Sequence, residues 1–144
     1  VRERKLPKWY WCDPGVVRAM KRSSGSLAPE ERGALFEGMV AQLVRAYKDY
    51  RGICDDIYYW APSGRSETEV DFLLLRGLDL IAVEAKSGST FTDTWCKGLR
   101  AIAQLKGLTR RIIVYPRGPV LKTKDGIDVF PFQHFSDLLA SSSL

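Results

Sequence analysis

The chain has 144 residues, 45% of them hydrophobic and 27% charged, with a formal net charge of +5; this is the profile of a single soluble globular domain, able to bury close to ~70% of its unfolded surface without a disulfide or metal staple. Its longest apolar run, Ile57 to Ala61, is five residues against the ~18 a membrane-spanning helix needs, which excludes such a helix. Three cysteines without a CxxC pair and one histidine, His134, exclude a disulfide framework, a thiolate zinc cage and any multi-histidine metal site, and leave hard-metal chemistry through carboxylates open.

The start, VRERKLPKWYW, has no apolar h-region, so no signal peptide is expected. With no initiator Met, the chain is expected to be a piece of a longer cytoplasmic protein: one domain, with residues 1–28 as an extension packed on a core over 29–144. In chain order, Lys8–Trp11 reads as a short strand. Asp13 reads as the N-cap of a short helix that takes Pro14 as its first residue and runs to about Met20. After a polar connection over 21–28, a long helix opens on Pro29 with Glu30 and Glu31 in its positive first turn. Leu35, Phe36, Met39, Val40, Leu43, Val44 and Tyr47 recur on it at helical spacing, and Arg51-Gly52 stops it.

Ile57–Trp60 reads as a strand and Pro62–Ser66 as a turn-rich stretch. Two strands, Glu69–Arg76 and Asp79–Ser87, are joined by Gly77-Leu78. A helix is predicted from about Thr94 to Lys106, ending at Gly107. Arg111–Tyr115 reads as a buried strand, Val120–Phe130 as a hairpin turning at Lys124-Asp125-Gly126, and Phe132–Ala140 as a closing helix. The core order is α-β-β-β-α-β, an α/β domain with a mixed sheet flanked by helices. Cys12, Cys54 and Cys96 are evenly spaced, but their flanks do not match, so no repeat is read.

The register of the central hairpin carries the chemistry. Gly77 in the first central position of a two-residue loop suits a type II′ turn, and that loop sets Asp71 opposite Glu84 and Glu69 opposite Lys86. Alternation projects all four from one side. Two carboxylates directly opposite, with Cβ atoms roughly 5 Å apart, repel each other, and their neighbours Phe72, Leu73, Leu74, Leu80, Ile81 and Val83 raise the cost. A divalent cation between Asp71 and Glu84 removes that repulsion, and Mg²⁺ favours such oxygen donors. Lys86 is placed to orient or deprotonate a water, or to stabilise charge on a phosphate. On the long helix Glu37 falls at about 200° from Leu35, at the border of the apolar face, within reach of a cleft between helix and sheet. The competing reading is a wet surface with an exposed Glu69–Lys86 ion pair, which contributes little; the apolar make-up of both strands outside these four positions favours the site.

Charge is unevenly spread. Lys97 to Lys124 holds eight basic residues and no acidic one, whereas Glu30 to Glu84 holds eleven acidic and six basic. An acidic centre beside a basic flank suits a site that holds cations while gripping a polyanion, with solvated surface charge as the alternative. Lys97, Arg100, Lys106 and Arg110 are the candidate phosphate contacts, expected near the Glu84–Lys86 strand end. The triplets Trp9-Tyr10-Trp11 and Tyr58-Tyr59-Trp60 read as strand residues packing a core rather than as base-stacking platforms, and His134 as a packing or capping residue.

Glu37 in GALFEGMV, Asp71 in SETEVDFLLL, and Glu84 with Lys86 in IAVEAKSG, in α-β-β-β-α-β order, resemble the PD-(D/E)XK nuclease superfamily with its restriction-endonuclease-like fold. A second resemblance covers nearly the whole chain. WYWCDPGVVRAM, RGALFEGMVAQL, IYYWAPSGRSETEVDFLL, LIAVEAKSG and GIDVFPFQHF look like the uncharacterised domain found C-terminal to AAA-type ATPase cores in bacteria and archaea, which implies an ATPase region upstream as partner. This chain itself has no Walker A motif. The superfamily resemblance implies Mg²⁺ or Mn²⁺ held by Asp71, Glu84 and Glu37, with Lys86 completing the catalytic set. Two positions depart from its patterns: Val70 stands before Asp71 where Pro is usual, and Gln104 is followed four residues on by Leu108, against the Gln-x-x-x-Tyr of the RecB-like branch. The expectation is a metal-dependent phosphodiesterase acting on DNA or other nucleic acid. The alternative is a catalytically silent binding or docking module of the ATPase, since fold alone does not fix function.

Overall fold

The computed structural model describes residues 8–22, 24–62 and 68–144. Asp13 caps α1 (Pro14–Met20), its Oδ1 accepting from the Gly15 and Val16 amides at 2.6 and 3.1 Å, the role a short carboxylate plays before a first-turn proline. α2 (Pro29–Arg51) starts and stops where the sequence predicts. Gly52 ends it at φ 62°, donating its amide to Lys48, a left-handed cap that glycine takes at little cost.

Six strands make one mixed sheet in the order β1-β2-β3-β4-β6-β5. β1 (Asp56–Trp60), β2 (Val70–Arg76) and β3 (Asp79–Ala85) form an antiparallel meander. β4 (Leu108–Tyr115) runs parallel to β3, and β6 (Asp128–Pro131) parallel to β4. β5 (Leu121–Lys122) hairpins onto β6 through the 124–126 turn. The predicted register holds: Phe72 pairs with Val83 and Arg76 with Asp79. Gly77 has φ 61° and Leu78 is not left-handed, the pattern of a type II′ turn.

Period-two alternation splits the strands' apolar residues between two layers. On one face α2 and α4 (Phe132–Ala140) cover Phe72, Leu74, Ile81, Val83, Ile112 and Val114 with Phe36, Val40, Val44, Phe135 and Leu139. On the other, Cys96, Leu99 and Ile102 cover Leu73, Ala82, Ile113 and Val129. Both buried cysteines, Cys54 and Cys96, are free, as is the exposed Cys12. His134 packs at a tilt against Phe130, ring centroids 4.7 Å apart.

Three local expectations are corrected. Lys8–Trp11 joins none of the sheet's strands; its Lys8 and Tyr10 are drawn to carboxylates instead, and Trp9 and Trp11 stay exposed rather than packing a core. The 94–106 helix is a 3-10 turn (Asp93–Cys96) followed by a five-residue α3 (Lys97–Ala101). Beyond it Ala103 and Leu105 donate three residues back, tightening the chain toward Gly107, whose carbonyl must meet the Leu80 amide at 2.7 Å. Glu69 lies before β2 rather than in it. The predicted turn at Pro62–Ser66 falls largely outside the described residues, as do residues 1–7 of the extension.

Candidate functional site

The hairpin register, continued by one residue pair, brings Asp71 and Glu84 abreast. The link there is reciprocal: the Asp71 amide donates to Glu84 Oε2 at 3.3 Å, and the Ala85 amide donates to Asp71 Oδ2 at 2.9 Å. Both side chains are buried, 5% and 4% exposed. One oxygen of each carboxylate is therefore spent on backbone, leaving Asp71 Oδ1 and Glu84 Oε1 to face the cleft. Glu84 Oε1 accepts from Lys86 Nζ at 2.6 Å. Asp71 Oδ1 accepts from Lys8 Nζ at 2.9 Å.

Lys8 was not among the sequence-predicted site residues. Its ammonium has three donors, and the contacts match: Asp71 at 2.9 Å, Glu37 at 3.0 Å and Glu69 at 3.3 Å. Tyr10 adds its hydroxyl to Glu37 Oε1 at 2.6 Å and lays its ring near Phe72, centroids 5.9 Å apart. The Glu69–Lys86 ion pair of the competing surface reading does not form: Glu69 pairs with Lys8 and Lys86 with Glu84. Glu37 sits where the helical wheel puts it, half-buried with a side chain 25% exposed, across the open strand ends.

Glu37, Glu69, Asp71, Glu84 and Lys86 share a cleft of about 450 Å³, lined by the N-terminal half of α2, the ends of β2 and β3, and α3; Lys97 and Trp95 complete its wall, and Lys8 and Tyr10 line a neighbouring cavity of about 560 Å³ that shares Glu37 and Glu69. Gly98 makes its floor, because a Cβ there would run into the Glu69 carbonyl oxygen. Trp95 is braced edge-on by Phe91 and packs near Tyr115.

Burial governs the electrostatics. Desolvation, then repulsion from Asp71, pushes the Glu84 carboxyl up to about 7 in spite of Lys86. Asp71 is also raised, by burial and then by Glu37, with Lys8 opposing. Burial pulls the Lys8 ammonium down, but the Asp71 and Glu37 carboxylates outweigh it and hold the pKa well above the ordinary lysine value. The Tyr10 phenol is raised by burial and by its bond to Glu37. Perturbed acids of this kind gather at functional sites.

The basic flank is placed less simply. Lys97 lines the cleft. Arg100 forks onto Asp93 at 2.6 and 2.7 Å and reaches Asp125 at 3.1 Å. Arg110 pairs with Asp128 at 2.9 Å and sits beside Ile81 in the ladder, three residues or about 10 Å from Glu84 along β3. Lys106 precedes Gly107, which meets β3 at Leu80, again at the far end from the carboxylates. Proximity in sequence to Lys86 is no guide here: β4 runs parallel to β3, so the chain returns to the opposite end of the strands before starting it.

The donor set is all oxygen, which suits a hard divalent cation. As it stands, no group of three Asp, Glu, His or Cys side chains among the described residues is arranged to hold one, because Glu37 and Asp71 converge on Lys8 while Glu84 turns to Lys86. The Lys8 ammonium is a cation seated among three carboxylates, so the pocket fits positive charge. No described helix is long and apolar enough to cross a membrane. A family model described as Domain of unknown function (DUF4143) matches residues 32–135, a span that contains Glu37, Asp71, Glu84 and Lys86 and excludes Lys8 and Tyr10. No curated protein and no solved structure matches the chain.

Proposed function

The chain belongs to the DUF4143 domain family, and from that premise and the geometry of the cleft we propose a divalent-metal-dependent phosphodiesterase site for nucleic acid, on a restriction-endonuclease-like core appended to an AAA-type ATPase. The observation that carries this reading is the pairing of Asp71 and Glu84 through each other's strands, buried, with Lys86 Nζ 2.6 Å from Glu84. The fold assignment is supported by the α-β-β-β-α-β order and by a β1-β2-β3 meander continued by a parallel β4. In this reading Asp71 and Glu84 hold Mg²⁺ or Mn²⁺ and Glu37 positions a water or a second ion; the metal supplies a Lewis acid at the phosphate and a more acidic water. Lys86 holds its ammonium beside the reacting phosphate and stabilises the charge that gathers there. Lys97, on the cleft wall, steers the nucleic-acid backbone toward it.

The experiment is cleavage of plasmid and single-stranded DNA with Mn²⁺, with wild type, Asp71→Asn and Lys86→Ala. Cleavage lost in both variants supports the site, and cleavage unchanged in both overturns it. A second reading, a silent binding module that guides the ATPase, is favoured by one observation: the carboxylates are already neutralised in part by Lys8 and Lys86. It expects salt-sensitive DNA binding that survives Asp71→Asn.

A further inference from the structure

The segment Lys8–Trp11 lies beside the carboxylate cleft, along the cavity that shares Glu37 and Glu69 with it, without belonging to the sheet. Its hold is made of side chains: Lys8 Nζ on Asp71, Glu37 and Glu69, and Tyr10 Oη on Glu37. One backbone contact helps, Gln42 Nε2 donating to the Trp11 carbonyl at 2.8 Å. Trp9, between the two anchoring residues, is 84% exposed, while the Tyr10 ring packs on the core beside Phe72, so the strap is held by ion pairs and one aromatic contact.

Charge balance decides what this arrangement does. Among the described residues, the ammoniums in contact with the carboxylates of Glu37, Glu69, Asp71 and Glu84 are those of Lys8 and Lys86. Exchange of Lys8 for a divalent ion would neutralise the pocket further. The two cations exclude each other, because a hard ion bound at roughly 2.0–2.6 Å from Asp71 Oδ1 and Glu37 would occupy the space of an ammonium that already spends its three donors on these same acids. A site competent for metal only when the strap is away binds it with an apparent affinity reduced by the fraction of time the strap is away.

We propose that Lys8 is a built-in counter-ion, and that the strap Lys8–Trp11 is an intrasteric lock whose ammonium must leave Asp71 and Glu37 before Asp71, with Glu84 and Glu37 beside it, can take up a divalent cation. This rests on the metal-site reading above and adds its regulation. Release of the strap opens the cleft to a hard cation; its return expels the ion and leaves the acids paired. Tyr10 strengthens the lock by holding Glu37 toward Lys8.

Calorimetric titration of Mn²⁺ into wild type, Lys8→Gln, Tyr10→Phe and Asp71→Asn tests both layers, with circular dichroism checking that each variant is folded. The expected result is Mn²⁺ binding about tenfold or more tighter in Lys8→Gln than in wild type, a smaller gain in Tyr10→Phe, which loosens the strap and keeps its charge, and loss of binding in Asp71→Asn. Equal affinity in wild type, Lys8→Gln and Tyr10→Phe, with loss in Asp71→Asn, overturns the lock and leaves the metal site standing. Weaker binding in Lys8→Gln also overturns the lock, making Lys8 a support of the site. No binding by any of the four overturns the lock and the metal site together. Should Lys8→Gln fail to fold, Tyr10→Phe decides: a gain supports the lock, and no gain overturns it.

Discussion

Two charged clusters flank α3, and they treat their acids in opposite ways. On one side Glu37, Glu69, Asp71 and Glu84 meet Lys8 and Lys86 in a cleft where Asp71 and Glu84 are buried, and both of those carboxyls are raised. On the other, Asp93 and Asp125 meet Arg100 and Arg111 in solvent, and both carboxyls are lowered, by the Arg100 fork first. Each acid has a cationic partner within hydrogen-bond reach in either case. The difference is desolvation: in the cleft it exceeds what a single ammonium returns, whereas at the surface it is small and the bidentate guanidinium prevails. The surface cluster pins the β5–β6 turn to α3. The buried one holds charge at a cost, and a fold retains such a cost where the charge has a use.

The largest consequence of this contrast is a pH dependence. Glu84 has a folded value of about 7, above its ordinary ~4.3. Between those values the folded protein keeps a proton that the unfolded chain has released, so stability falls as pH rises through the window and levels off above it. The fall amounts to a few kcal/mol at most. The surface acids act in the reverse sense, their contribution being lost only as pH drops below the ordinary carboxylate range. Urea denaturation at intervals from pH 4 to 8 should show wild type losing stability toward neutrality and Glu84→Gln losing clearly less, the raised Asp71 accounting for what remains. A wild-type curve that rises over that range would make the two clusters alike and break the comparison.

A smaller effect comes from the element the clusters share. Gly98 on α3 lies against the Glu69 carbonyl, while Arg100, two residues on, serves the surface cluster. In Gly98→Ala the new Cβ meets backbone oxygen, which cannot swing aside, and this outweighs the gain in helix propensity; overpacking of this kind costs about 1–3 kcal/mol. The expected outcome is a lower urea midpoint together with a shifted Glu84 titration, since Glu69 leads directly into Asp71. A variant as stable as wild type would mean that the 68–70 segment yields freely and that the cleft floor is not fixed.

The legible parts of this molecule are those set by neighbours in sequence. A glycine at the first turn position fixed the β2–β3 register, and the register brought Asp71 beside Glu84. The helical period put Glu37 at the edge of the apolar face of α2, and Pro29 and Gly52 marked the ends of that helix. Illegible parts depend on distant partners. Lys8 reaches Asp71 across 63 positions, and KWYW alternates like a strand, so local pattern pointed to a ladder while three carboxylates elsewhere captured the segment. The fate of the basic flank followed from the parallel pairing of β4 with β3, which returns the chain to the far end of the strands and parts Lys106 and Arg110 from the cleft. A net charge counts cations; it says nothing of which already have a carboxylate.

That last point separates two lysine-or-arginine positions three residues apart and sets the smallest predicted effect. Lys97 lines the cleft and is exposed. Arg100 has its guanidinium committed to Asp93 and Asp125, and a phosphate would have to displace two carboxylates already in contact with it. Each phosphate contact adds about 0.9 to the slope of log affinity against log salt concentration. DNA binding measured by fluorescence anisotropy across a salt series should therefore lose about one unit of slope in Lys97→Ala and change little in Arg100→Ala. Asp93→Ala sharpens the test, because it frees the fork: if Arg100 is held back only by its partners, this variant should bind DNA with a steeper slope than wild type. Equal losses from Lys97→Ala and Arg100→Ala would show that the surface cluster opens for phosphate as readily as the cleft wall accepts it, and the division between a structural and a functional set of charges would then fail at its weaker end.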